Sequence, residues 1–125
     1  HAWIWWLSDP SELSGRALEV IDDEVEKGEV LVSAISCWEL AVLERKGRID
    51  LAMTSENLVN QSAALPFLRY VPVSPEIAIQ SNRLPGEFHE DPADRIIVAT
   101  AMIERVPLVT RDRKIRDYPH VEPLW

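Results

Sequence analysis

Four carboxylates occupy positions where a parallel α/β fold would display them. Glu39 follows the apolar run at 30–34 and falls in the first turn of the helix pattern after it. Asp112 follows a second apolar run at 107–110. Asp91 and Asp94 open the most apolar helix pattern in the chain, at 96–103. A few oxygen ligands that leave positions open for water and phosphate are what Mg²⁺ or Mn²⁺ takes. Such an ion activates water and stabilises a phosphoryl transition state. The chemistry to expect is metal-assisted cleavage of a nucleic acid.

Helix capping competes with that chemistry. Ser36-Cys37-Trp38-Glu39 fits the S-x-x-E capping box, in which the acid reaches back to a backbone N–H. Asp91 is a good N-cap, and acids near a helix start are favoured by its dipole. Asp91 and Arg95 are spaced for a helical ion pair. Thr110-Arg111-Asp112 reads as an ordinary turn. The two readings are compatible, because a helix start is also a place to present an acid.

The elements that must position these acids come from punctuation and period. Residues 3–7 form a short apolar helix, closed by Ser8-Asp9-Pro10. Ser14 caps a helix that runs through Leu18, Ile21 and Val25 to Gly28. Residues 30–34 are a strand apolar on both faces, and Ser36 opens a helix ending at Gly47. A helix over 55–64 stops at Pro66. Residues 70–73 are strand-like, with Pro72 suggesting an edge or a strand end. Ser74-Pro75 and Asp91-Pro92 each place proline at a first helical position. Residues 107–110 and 121–125 are the last strand candidates. Short apolar strands alternating with helices indicate a parallel sheet covered on both faces. Ligands then sit beyond the carboxyl ends of the strands.

Bulk properties narrow the function classes. The 125 residues favour one domain over 1–125, and 46% hydrophobic with 27% charged residues fits a packed globule. A net charge of -8 argues against non-specific coating of nucleic acid. It does not oppose cleavage at a site screened by bound cations. No apolar run is long enough to span a membrane, and 1–7 lacks the basic flank of a signal peptide. Cys37 is the single cysteine, which fits a reducing, cytoplasmic setting and excludes a cysteine metal cage. There is no Gly-rich phosphate loop, no H-E-x-x-H and no G-x-S-x-G. His89 reads as a solvated loop histidine or, two residues before Asp91, as a side chain that touches substrate. Trp3, Trp5 and Trp6 read as core or partner surface. Arg111, Arg113 and Lys114, with Arg116, form a basic cluster beside Asp112 that either grips phosphates or is a solvated face.

Taken in order, four segments resemble a known family. These are His1-Ala2-Trp3-Ile4-Trp5-Trp6, Ile35-Ser36-Cys37-Trp38-Glu39-Leu40, the run from Asp91-Pro92-Ala93-Asp94-Arg95 to Ala101, and Val109-Thr110-Arg111-Asp112. Together they resemble PIN-domain ribonucleases of the VapC toxin type. The resemblance implies a three-layer α/β sandwich with a mainly parallel central sheet. It implies a Mg²⁺- or Mn²⁺-dependent endoribonuclease, with Glu39, Asp94 and Asp112 as metal and catalytic acids. Asp91 would be an accessory acid and Thr110 a supporting hydroxyl. It further implies a cognate VapB-like antitoxin, an RNA substrate and a homodimer. The family opens with an apolar strand ending in an acid ahead of the segment that starts here at His1, so such a strand is expected upstream. Two other function classes compete. One is a catalytically inactive PIN-like module that binds an antitoxin or RNA. The other is a phosphoacceptor receiver domain, which Lys114 serves poorly because it lies four residues beyond its strand.

Overall fold

The computed structural model describes residues 1–49 and 51–125. Helix α1 (Ala2–Ser8) leads through a 3₁₀ turn (Pro10–Glu12) to α2 (Gly15–Lys27). Ser14 caps α2 by accepting the N–H of Ala17 at 3.1 Å. Gly28 ends it in the left-handed region at φ 98°, where its own N–H reaches the carbonyls of Glu24 and Val25. The chain continues as β1 (Val30–Ser33), α3 (Ile35–Arg45), α4 (Ser55–Ala63), β2 (Leu68–Val71) and α5 (Pro75–Ser81). It closes with α6 (Pro92–Glu104), β3 (Leu108–Val109), α7 (Arg113–Arg116) and β4 (Pro123–Leu124).

Strands β3 and β4 are shorter than the expected 107–110 and 121–125, and three further assignments differ for local reasons. Strand β2 ends at Val71 because Pro72 has no N–H to offer a ladder. The Thr110-Arg111-Asp112 segment is not a bare turn: Asp112 caps the short helix α7, accepting from Lys114 and Ile115. Helix α3 starts at Ile35, so Ser36 lies inside it and is not its cap.

The strands are parallel, as expected, in two pairs. Val30 to Ser33 of β1 face Leu68 to Val71 of β2, and Leu108 and Val109 of β3 face Pro123 and Leu124 of β4. Among the described residues no ladder joins the pairs into one sheet. Side chains bridge them: Leu31 of β1 and Leu108 of β3 pack on the same cluster, with Val98 and Ala99 of α6 and Ile77 of α5 at its centre. With β1 paired on one side only, Val32 alone of its residues is fully buried, where burial on both faces was expected.

Helices cover both faces of β3. Leu108 turns to the α5–α6 side, while the next residue, Val109, turns to the cluster of Leu13, Ala17 and Ile21 around α2. Trp5, Trp6 and Trp125 pack on that second cluster. A third cluster joins Ile4 of α1, Leu40 of α3 and Leu58 of α4, with Trp3 against it. The tryptophans of α1 therefore lie at helix junctions, packed against two of the core clusters. No helix among the described residues is long and apolar enough to cross a membrane.

Candidate metal centre

Glu39 is half-buried on α3, one turn past the carboxyl end of β1. The capping box does not form. The N-cap of α3 is Ala34, and no side chain caps it. Glu39 thus has no structural duty at its helix start. Burial pushes its carboxyl above the ordinary range, and the Asp94 charge and then that of Asp91 push it further.

Asp94 lies in the first turn of α6, also half-buried. Burial raises its carboxyl first, followed by the charges of Asp91 and, more weakly, Asp112; His89 and Lys114 act in the opposite direction. Because α6 runs back from the carboxyl edge to the start of β3, its first turn faces the residues just past β3. Asp112 follows Thr110 there. The Thr110 hydroxyl is buried and accepts the N–H of Asp112 at 3.0 Å, which fixes the turn that presents the acid.

Asp91 and Asp112 do cap helices. One oxygen of Asp91, Oδ1, accepts from Ala93 and Asp94 at 3.0 and 3.3 Å. Oδ1 of Asp112 accepts from Lys114 and Ile115 at 2.8 and 3.2 Å. In each case the other carboxylate oxygen makes none of these bonds. The structure therefore brings Glu39, Asp91, Asp94 and Asp112 into one electrostatic field. Among the described residues no three Asp, Glu, His or Cys side chains draw close enough to form a ready ligand cage. Two half-buried carboxylates, Glu39 and Asp94, held above the ordinary range by burial and by neighbouring acids, are nonetheless the donor set that a hard divalent cation relieves. The residues fit such an ion.

The sequence matches the PIN domain family over residues 1–121. The chain belongs to that family. It is 38% identical, over 99% of its own length and 92% of the relative's, to Ribonuclease VapC22 of Mycobacterium tuberculosis. Among solved structures, a chain of a toxin–antitoxin complex from Klebsiella pneumoniae matches with a TM-score of 0.50 and 26% identity, covering 73% of this chain and 70% of that one.

Within this PIN domain the basic residues divide. Arg111 stacks on Trp5, its guanidinium carbon 4.4 Å from the ring centroid, and lies 3.7 Å from Glu12. Arg113 points along α7 to Asp117 at 3.4 Å. Lys114 is exposed, and its charge is felt at Asp94.

Two residues depart from their sequence reading. Arg95 does not pair with Asp91. Its guanidinium donates to the carbonyls of Ser81 at 2.8 Å, Phe88 at 3.0 Å and His89 at 3.1 Å, and so ties the 82–91 connection to α6. His89 is not a solvated loop side chain, since its Nε2 is closed off from solvent. The sequence signals for these roles are weak: a lone arginine at helical spacing from an acid suggests an ion pair, not carbonyl binding.

Proposed function

We propose that this PIN domain is a divalent-metal-dependent endoribonuclease and the toxin half of a toxin–antitoxin pair. Glu39, Asp94 and Asp112 hold Mg²⁺ or Mn²⁺, with Asp91 adding negative charge at the rim. The observation that carries the reading is Glu39, a half-buried acid with no capping partner whose carboxyl is raised by burial and by Asp94. A fold does not keep such a group for stability.

When bound there, a divalent ion supplies an activated water and offsets charge building on the phosphate. The protein's own residues do the rest. Thr110 and the cap at α7 hold Asp112 in place. Asp91 fixes the first turn of α6 through Oδ1, and with it the direction of Asp94. Lys114 offers a mobile positive charge to an RNA phosphate near the acids, which confines attraction for RNA to the cleft on a chain of net charge -8.

The relative named as a ribonuclease supports the activity, and the solved toxin–antitoxin complex supports a protein partner. An antitoxin helix would pack against α1 and α3, two helices that Ile4 and Leu40 join through one buried cluster. Assembly as a homodimer and a cytoplasmic setting belong to the same reading.

The test is incubation of the purified chain with total RNA in Mg²⁺, in Mn²⁺ and in chelator. Cleavage that needs the ion and is lost in Glu39→Gln and Asp94→Asn supports it. Cleavage that survives chelator or both substitutions removes it. Binding of RNA without cleavage, in every ion tried, favours the inactive module.

A further inference from the structure

His89 belongs to neither the acid set nor the apolar core, yet its ring is held at two points and its backbone at a third. Nδ1 accepts the backbone N–H of Asp91 at 3.4 Å. A ring nitrogen that accepts carries no proton, so the neutral imidazole bears its proton on Nε2. Phe88 lies against the ring with centroids 4.3 Å apart, and Phe88 in turn meets Tyr118. Arg95 holds the His89 carbonyl from below.

The result is a donor held in an awkward place. Nε2 is shielded from solvent and makes no hydrogen bond among the described residues, while Oδ2 of Asp94 stands 3.4 Å from it. Burying a donor without a partner is unfavourable, and the surrounding contacts hold the ring there. The separation is an approach short of a formed bond, which a small rotation of the Asp94 carboxylate would complete.

We propose that His89 is a positioning residue for Asp94: its Nε2–H takes Oδ2 and turns Oδ1 of the same carboxylate toward a divalent cation in the acidic cleft. Arg95 acts one step further out, by fixing the backbone that carries the ring. The inference rests on the metal-site reading of Asp94. It assigns the 82–91 connection a task beyond joining α5 to α6.

The test is Mn²⁺ affinity, read by the electron-spin-resonance signal of the free ion, with melting of the metal-free proteins as the control for folding. His89→Asn leaves an acceptor near the Nδ1 position for Asp91 but removes the donor to Asp94. His89→Gln places an amide N–H near the Nε2 position. Loss of an outer partner to a ligand carboxylate typically weakens metal binding about 10- to 100-fold, and that loss is expected in His89→Asn, with most of it recovered in His89→Gln. Nitrogen NMR of the metal-free chain should show the Nε2–H tautomer for His89. Mn²⁺ binding in His89→Asn equal to that of the unsubstituted chain, while Asp94→Asn is defective, overturns the positioning role and leaves the metal site standing. Equal binding in Asp94→Asn overturns both. An Nδ1–H tautomer overturns the positioning role alone.

Discussion

The hydroxyl oxygens of Ser33 and Thr100 lie 3.2 Å apart, tying the end of β1 to the middle of the helix that carries Asp94. The direction of that bond follows from its neighbour. Thr100 gives its one proton to the carbonyl of Ile96 at 2.7 Å, so Ser33 is the donor. Thr100→Val keeps the shape but leaves the Ser33 proton without its acceptor, at a cost of about 1–2 kcal/mol. Ser33→Ala removes the donor and leaves only a spare lone pair, at a cost of about 0.5 kcal/mol. Urea unfolding midpoints should rank the two in that order; the reverse order would assign the proton the other way.

Asp112 allows capping and metal binding to be measured separately. Asparagine keeps an oxygen for the Lys114 and Ile115 N–H groups but loses the charge. Alanine loses both. Asp112→Asn is expected to abolish metal-dependent cleavage with little change in stability, whereas Asp112→Ala adds about 1 kcal/mol of destabilisation from the lost cap. Thermal melts in chelator, set beside RNA cleavage in Mg²⁺, read both quantities. If Asp112→Asn cleaves RNA normally, the acid serves the helix alone.

Glu39 and Asp94 predict an unusual pH profile. Both hold their protons more tightly in the folded chain than an ordinary carboxyl does. Above the ordinary carboxylate range, and up to the raised values, the folded state therefore binds more protons than the unfolded one. Stability contributed by these groups falls as pH rises through that window, and it returns on acidification. Paired carboxylates behave the opposite way. In chelator, Glu39→Gln and Asp94→Asn should melt at or slightly above the temperature of the unsubstituted chain near neutral pH, with a flatter profile below it. Mn²⁺ at a hundred times its Kd should stabilise the unsubstituted chain by about 2.7 kcal/mol, and should stabilise Asp94→Asn far less. Matching pH profiles for all three proteins would remove the charge repulsion on which the metal centre rests.

Local chemistry in the sequence sufficed for most helix starts, because Ser14, Ser74 and Asp91 each accept an N–H two or three residues on. It misled at Ser36, where the S-x-x-E pattern was present but α3 had already begun a residue earlier. It missed α7, although Asp112 followed by the buried Ile115 is a cap-and-anchor signal in a four-residue helix. The acids were legible individually as strand-end and helix-start residues. Their grouping came from the family resemblance and not from spacing, since it depends on α6 returning to the carboxyl edge beside β3. Arg95 and His89 were least legible. Their partners are three backbone carbonyls and one distant carboxylate oxygen, which no side-chain pattern encodes.

The basic residues near Asp112 should have unequal effects on RNA. Arg111 is already committed to the Trp5 ring and to Glu12, so its charge is largely spent inside the protein. Arg111→Ala is expected to lower stability by about 0.5–1 kcal/mol through the lost cation–π contact, with little effect on RNA affinity. Lys114 lies on the exposed face of α7, with its charge reaching toward Asp94. Its ammonium is free to meet a phosphate held near the acids. Each phosphate contact to single-stranded nucleic acid contributes about 0.7 to the slope of log affinity against log salt. Lys114→Ala should therefore reduce that slope by about 0.7 and weaken binding across unrelated RNA sequences alike. RNA binding to a cleavage-defective Glu39→Gln background, titrated over a range of salt concentrations, isolates this effect from turnover. An unchanged slope for Lys114→Ala, or a reduced one for Arg111→Ala, would mean that the RNA backbone takes a different path across the acidic cleft.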